Sequence, residues 1–396
     1  MQAVLSDGKV VVAGSGAEAE AEAETDILAK GYGRKKGKIE LSLEEAAFLL
    51  ETGKLQIKDE AGKELNLDGF LEHALDVSPK FVLRYLIYTD LKERGYAVQP
   101  GGVDFWLYPR GAKPGEKPAR HFIRIFSESD FLSLDDLAAL LISARNMRKE
   151  PIIAVVDEES DITYYEVQEA DFESVEPEED KEESKKRKAK TSLLGDRVVL
   201  WDADLAKKLY RNDFYGKLTK EKRLLLSLVE AAYLMKKGLL EIEVREQKPE
   251  NRSRESDLEK APSLNHQTST LNPVNFERFV EYANAIETNF MDKYAVYEDL
   301  RENGLVVKTG FKFGSHFRVY KTKQQKHSSY LIHVLPEEHV FSMQELSRAV
   351  RLAHGVKKRM IFAQIQTLGK FDQNASQTLK KFEKKIRYVD IGRMKL

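Results

Sequence analysis

The feature that most constrains this chain is that its sequence is written twice. Leu41-Ser-Leu-Glu-Glu-Ala-Ala-Phe-Leu-Leu-Glu-Thr-Gly-Lys-Leu-Gln-Ile57 recurs as Leu226-Ser-Leu-Val-Glu-Ala-Ala-Tyr-Leu-Met-Lys-Lys-Gly-Leu-Leu-Glu-Ile242. Each copy reads as an amphipathic helix stopped by a glycine and followed by a strand. A second pair follows in the same order: Tyr85-Leu-Ile-Tyr-Thr-Asp-Leu-Lys-Glu-Arg-Gly95 matches Tyr294-Ala-Val-Tyr-Glu-Asp-Leu-Arg-Glu-Asn-Gly304. A third pairs His121-Phe-Ile-Arg-Ile-Phe with Tyr330-Leu-Ile-His-Val-Leu, each leading to a serine, Ser133 or Ser342, that opens a helix. A chain so patterned folds as two copies of a two-part unit, N1–C1–N2–C2. Strands and helices mix in every part, so the expected class is α/β (α+β), with tandem N-modules of helices and a small sheet.

The expected divisions are N1 over 1–80, C1 over 81–172, a linker over 173–192, N2 over 193–290 and C2 over 291–396. The linker is dense in Glu, Lys, Asp and Ser and nearly devoid of apolar residues, which leaves little to repay its ordering entropy. A second polar stretch, 245–273, reads as an insertion or loop within N2. The Ala/Glu tract Gly14–Glu24 is of low complexity.

Length and a 42% hydrophobic content allow several cores. No apolar run approaches the roughly 20 residues that span a bilayer, and Met1–Gly14 lacks the pattern of a signal peptide. The expectation is therefore a cytoplasmic protein with no membrane partner. There is no cysteine, which removes disulfides, thiolate metal sites and a cysteine nucleophile. The net charge of −1 hides an uneven distribution: residues 291–396 carry 21 Lys+Arg against 10 Asp+Glu. A polyanion responds to charge within a Debye length of about 8–10 Å, so overall neutrality does not oppose RNA binding.

Within C2 the pattern predicts a helix over Asn289–Asn303, strands near Leu305–Lys308 and Phe317–Lys321, a loop Thr322–Ser328, and a strand Tyr330–Leu335. Ser342-Met-Gln-Glu345 reads as a capping box opening a helix with the stripe Leu346, Ala349, Val350, Ala353, followed by a strand over Met360–Ile365. Arg351 and Lys358, seven apart, are expected on one helical face. Aligning the C-modules sets Tyr320 against Tyr108 and Lys358 against Lys149, while His327 falls opposite Pro118. Only the second copy holds all three groups. Every histidine after residue 300 (His316, His327, His333, His339, His354) lies in C2, where a group titrating near neutrality is most useful. Taken singly, Tyr320 reads as a packing aromatic, His327 as a surface histidine and Lys358 as a complement to the helix dipole. Their spacing alone does not settle an active site.

No metal site and no cofactor are expected. Phe317–Leu335 contains no Asp or Glu to hold Mg²⁺. His327, His333 and His339 are six residues apart, roughly 20 Å along a strand.

Three blocks, Thr309-Gly-Phe-Lys-Phe-Gly-Ser-His-Phe-Arg-Val-Tyr320, His327-Ser-Ser-Tyr-Leu-Ile-His-Val334 and Arg351-Leu-Ala-His-Gly-Val-Lys-Lys-Arg-Met360, resemble in order the catalytic domain of archaeal tRNA-splicing endonucleases. The N-module, with Leu209-Tyr-Arg-Asn-Asp-Phe-Tyr-Gly216 and the helix from Leu226, is similar to that family's amino-terminal domain. The two-repeat layout looks like the homodimeric form, each chain fusing one structural and one catalytic subunit. The resemblance implies C-modules with a restriction-endonuclease-like mixed sheet flanked by helices. It also implies precursor tRNA and other bulge-helix-bulge RNA as partners, cut to a 2′,3′-cyclic phosphate and a 5′-hydroxyl. On it, Tyr320 is the general base, His327 the general acid and Lys358 the electrostatic stabiliser.

The same resemblance makes Arg351 and Arg393, the latter in Asp390-Ile-Gly-Arg-Met394, a pair that sandwiches a bulge base. It makes Asp157, Glu158, Glu159 and Asp161 an acidic loop that docks on the other protomer. Where the family usually has Arg-Lys, this chain has Lys357-Lys358, so either lysine stands as the candidate; His354 is an alternative acid. Two competing readings are a non-catalytic subunit needing a separate catalytic partner, and a DNA nuclease of related fold.

Overall fold

The computed structural model describes residues 1–6, 8–13, 25–172, 188–245, 271–368 and 383–396. The tract Gly14–Glu24, residues 173–187 of the expected linker and residues 246–270 of the polar insertion lie outside them. Along the first half run β1 (Gln2–Ser6), β2 (Lys9–Ala13), β3 (Arg34–Lys36), β4 (Lys38–Leu41), α1 (Leu43–Glu51), β5 (Gln56–Lys58), β6 (Glu64–Leu65), α2 (Leu67–Val77) and α3 (Phe81–Glu93). Then come β7 (Val98–Pro100), β8 (Phe105–Leu107), β9 (His121–Ser127), β10 (Phe131–Ser133), α4 (Leu134–Met147), β11 (Glu150–Val156) and β12 (Ile162–Glu169).

The second half repeats the series. It runs β13 (Ala189–Leu194), β14 (Arg197–Leu200), α5 (Ala203–Arg211), β15 (Lys217–Leu218), β16 (Leu224–Ser227), α6 (Leu228–Lys236), β17 (Leu240–Arg245), β18 (Leu271–Val274), α7 (Phe276–Ile286) and α8 (Phe290–Glu302). It closes with β19 (Val306–Thr309), β20 (Phe317–Tyr320), β21 (Tyr330–Leu335), β22 (Val340–Ser342), α9 (Met343–Gly355), β23 (Arg359–Leu368) and β24 (Glu383–Met394). Strand β13 begins at Ala189, inside the stretch that reads as solvated linker, and buries Thr191 and Leu193 by alternation.

The N-modules carry the duplication into three dimensions. Their sheets have the same order, β3-β4-β2-β1-β5-β6 and β15-β16-β14-β13-β17-β18. In each, the first strand pairs parallel with the strand after the helix, Ala3 opposite Ile57 and Thr191 opposite Ile242. The helices start alike because their capping glutamates do two jobs. Ser42 Oγ accepts from Glu45 N at 3.2 Å and Glu45 Oε2 accepts from Ser42 N at 2.9 Å, while Glu45 Oε1 accepts from Gly33 N at 3.0 Å. Glu230 repeats this with Ser227 N at 2.9 Å and Gly216 N at 2.8 Å. Burial pushes the Glu45 carboxyl above its usual range, partly countered by these donors. Gly216 has φ 52°, and a Cβ there would lie 2.3 Å from the Leu225 carbonyl oxygen, so only glycine serves.

Contacts gather the chain into two units: Met1–Ala170 with Glu338–Met360 and Val389–Leu396, and Asp171–Glu337 with Ile361–Tyr388. In the first, a sheet runs β7-β8-β9-β11-β12 and continues with residues 389–394 of β24, Tyr165 standing opposite Arg393. Parallel β9 and β11 flank α4 in sequence, a βαβ unit. β10 and β22 form a separate antiparallel ladder, Leu132 opposite Phe341. The core of this unit includes Phe48, Tyr88, Phe105, Ile123 and Ile152, with the rings of Phe48 and Tyr88 6.0 Å apart. The second unit has its N-module sheet and the sheet β19-β20-β21-β23. Its α6 and α8 bring Tyr233 within 5.8 Å of Tyr297. The chain is thus a mixed α/β protein with repeated N and C pairs. Among the described residues no helix is long and apolar enough to cross a membrane.

Candidate active site

Tyr320 ends β20, where Phe317 and Val319 are buried and Arg318 and Tyr320 half-buried, the alternation of a strand with one face on a core. It pairs with Val306 on β19, and the Arg318 guanidinium lies 5.9 Å from its ring. The connection to β21 is pinned through Gln325. Its Oε1 accepts from Lys321 N at 2.8 Å and from Ser329 Oγ at 3.4 Å, and Ser329 N donates to the Val319 carbonyl at 2.9 Å. His327 sits exposed between these ties, beside buried Ser328. Tyr320 therefore precedes, and His327 lies within, one short, anchored loop of the second unit.

Lys358 belongs to the first unit, and its position corrects the expectation of a shared helical face with Arg351. Helix α9 ends at Gly355. Lys357 then takes the left-handed conformation, φ 56°, and Lys358 N donates to the Ala353 carbonyl at 2.9 Å. That is a helix stop with lysine where glycine is usual. It turns Lys358 out of the helix to the start of β23, half-buried, and leaves Lys357 exposed. The start of α9 also differs from the capping box. Ser342 Oγ accepts from Glu345 N at 3.2 Å, but the Glu345 carboxylate lies 3.3 Å from His339 Nε2.

Lys358 lines a small cleft together with His354, Arg359 and Arg393 and the apolar Val350 and Ile391. Arg393 and His354 are exposed there. Arg351 is exposed on α9 and does not line this cleft. Of the sequence candidates, the structure gathers Lys358, His354 and Arg393 in one place. Sequence reasoning passes over Arg359, whose only local signal is its place after Lys358.

The histidines sort by environment. His316 Nδ1 accepts from Val334 N at 2.9 Å, and burial, then His333 and Lys293, lower its pKa to about 4. It is neutral at neutral pH and occupied by the backbone. The His333 ring is tilted 4.6 Å from it and meets Phe362 edge-on, and His339 faces Glu345. His327 and His354 remain exposed. No group of three or more His, Asp or Glu among the described residues is arranged to hold a metal ion.

The first copy shows what happened to its counterparts. Arg148 (φ 52°) and Lys149 repeat the helix stop, with Lys149 N donating to Ala144. Lys149 Nζ donates to the Ala119 carbonyl at 2.6 Å and lies 5.6 Å from the Trp106 ring. Tyr108 is buried with its hydroxyl 3.0 Å from Gln99 Oε1, and burial raises its pKa. The acidic loop 157–161 joins β11 and β12. Asp157 Oδ1 accepts from Glu159 N at 3.0 Å and Asp161 N at 2.8 Å, leaving the Glu158, Glu159 and Asp161 side chains exposed.

Comparison with known proteins agrees with this repeated architecture. The model for the tRNA intron endonuclease catalytic C-terminal domain matches residues 81–164 and again 290–372, and that for its N-terminal domain matches 1–71 and 189–253. The chain belongs to the tRNA-splicing endonuclease family. It is 41% identical over 370 residues to a tRNA-splicing endonuclease of Methanosarcina mazei, covering 92% of each chain. To that of Natronomonas pharaonis it is 34% identical over 379 residues, 92% of this chain and 95% of the relative. Membership in the tRNA-splicing endonuclease family makes it an endonuclease of tRNA introns, with precursor tRNA as substrate.

Proposed function

We propose that the enzyme cuts precursor tRNA at bulge-helix-bulge intron boundaries by metal-independent transesterification, using Tyr320, His327 and Lys358. The observation that carries this is the contrast between the copies. In C1 the tyrosine is buried on Gln99 and proline stands opposite the histidine. In C2 His327 is exposed on an anchored loop and Lys358 lines an open cleft.

The chemistry needs only the substrate's own nucleophile. The 2′-oxygen attacks the adjacent phosphorus as its proton passes to Tyr320, the P–O5′ bond breaks, and His327 protonates the leaving 5′-oxygen. The products are a 2′,3′-cyclic phosphate and a 5′-hydroxyl. Intramolecular attack supplies the proximity that a bimolecular reaction lacks and restricts the reaction to RNA. Positioned acid and base groups add about 10²–10⁴-fold. The Lys358 ammonium stabilises the charge that builds on the phosphorane oxygens. As base, Tyr320 must enter the step as its phenolate and leave it as the phenol; the alternative is a hydrogen bond from its hydroxyl to the 2′-oxygen.

Arg351 and Arg393 are proposed to hold a bulge base between their guanidinium planes, a contact worth roughly 1–3 kcal/mol per base. The exposed carboxylates of 158–161 are proposed to dock on a second protomer, so that the working enzyme is a homodimer with two sites. His327→Ala assayed on a bulge-helix-bulge RNA in EDTA tests the assignment. A fall of at least about 10²-fold is expected, and full cleavage would overturn it.

A further inference from the structure

Arg359 follows Lys358 in sequence and is the centre of an ion network in the first unit. Its Nε donates to both oxygens of Asp390, at 2.9 and 2.6 Å, and its Nη1 to Glu166 Oε1 at 2.6 Å. Asp390 is 3% exposed and also accepts from Gln168 Nε2 at 3.1 Å. One guanidinium thereby ties β23 to β24 and β12, strands whose register sets Glu166 opposite Gly392 and Gln168 opposite Asp390. Gly392 makes room for it: a Cβ there would stand 2.9 Å from both Arg359 Nη2 and Glu166 Oε1.

We infer that Arg359 is a positioning residue for cleavage, setting Lys358 and Arg393 in place in the lining of the cleft. Of the three strands it joins, β23 is immediately preceded by Lys358, and β24 carries Arg393 three residues after Asp390. Stability alone does not call for such a network, because apolar side chains of like volume commonly serve as well or better. What a planar, forked donor offers is a fixed geometry between two carboxylates, which a lysine cannot reproduce. The copies again differ here. At the equivalent place after Lys149 the first copy has Glu150, a solvent-exposed carboxylate paired with Arg120 and His121. The network accompanies the copy that holds the full Tyr-His-Lys set.

This inference rests on Lys358 acting in catalysis, and a double-mutant cycle separates the two. Single-turnover cleavage of bulge-helix-bulge RNA at saturating enzyme is measured for Arg359→Lys, Lys358→Ala and the pair, with thermal unfolding as a check on folding. Arg359→Lys is expected to lower the rate at least about tenfold and to add less than about twofold in the Lys358→Ala background. Losses that multiply in full, or a wild-type rate in Arg359→Lys, would overturn the inference alone. A wild-type rate in Lys358→Ala would overturn the role of Lys358 and the inference with it. Should Arg359→Lys not fold, Glu166→Gln, whose side chain is 42% exposed, tests the same coupling: a smaller loss absent from the Lys358→Ala background supports it, and an unchanged or additive rate overturns it.

Discussion

Lys149 and Lys358 hold equivalent backbone positions and have different side-chain fates. Each follows a residue in the left-handed conformation and donates its N–H to an alanine five residues earlier. Lys149 then spends its ammonium on the Ala119 carbonyl, whereas Lys358 reaches the cleft. Duplication left a matched pair in which one ammonium is bound to a carbonyl and the other side chain lines the cleft.

The choice between Lys357 and Lys358 follows from this. Lys358→Ala is expected to slow single-turnover cleavage at least about 10²-fold, as loss of a transition-state charge does. Lys357→Gly should cleave as wild type and gain about 0.5–1 kcal/mol in urea unfolding, because glycine holds a positive φ without strain. The reverse pattern would assign the role to Lys357.

Gly216 joins the capping glutamate to the hairpin beneath it. Gly216→Ala should cost about 1–3 kcal/mol or more, since a Cβ would strike the Leu225 carbonyl at a strained φ. Gly195→Ala has a similar φ, 58°, with open space around it, and should cost only about 1 kcal/mol. Equal denaturation midpoints for the two variants would contradict the close approach.

His316 predicts an acid-sensitive second unit. Its folded pKa is about 4 against an ordinary value of 6.5, so the unfolded chain takes up the proton first. The stabilisation is fully present above pH 6.5 and is lost as pH falls toward 4, by about 1–3 kcal/mol. His316→Asn keeps an acceptor for Val334 N without the titration. Melting temperatures between pH 7 and 5 should fall less for this variant than for wild type, and parallel slopes would remove His316 from the account.

The acidic loop separates turn-forming from docking residues. Asp157 closes the turn by accepting two backbone N–H groups, so its replacement disturbs the loop itself. Glu158→Lys with Glu159→Lys leaves that turn intact and reverses only exposed charge. Sedimentation should shift from dimer to monomer; an undisturbed dimer would end the docking proposal.

Much of this was legible in the sequence because the signals are local. Serine caps, glycine stops and apolar periodicity mark α1 and α6, and their recurrence reveals the duplication. The helix stop at Lys357 was hidden because a lysine in the left-handed region carries no glycine signature, so Lys358 read as helical. Glu345 matched a capping box yet turned to His339, a partner upstream of the cap. Least legible were the long-range ties. The ladder of β10 with β22 and the bond from Arg359 to Glu166, 193 positions away, depend on how the halves fold, which no pattern within either half records. The fate of Tyr108 was equally invisible, since only packing shows its hydroxyl held by Gln99.

The central claim is that the substrate's own 2′-hydroxyl is the nucleophile in a reaction needing no metal. A bulge-helix-bulge RNA bearing a single 2′-deoxy nucleotide on the 5′ side of one scissile phosphate, incubated in EDTA, tests this most directly. The account predicts cleavage at the unmodified site with a 2′,3′-cyclic phosphate end and none at the modified one. Cutting at the deoxy position, or cutting at either site only when Mg²⁺ is supplied, would contradict it.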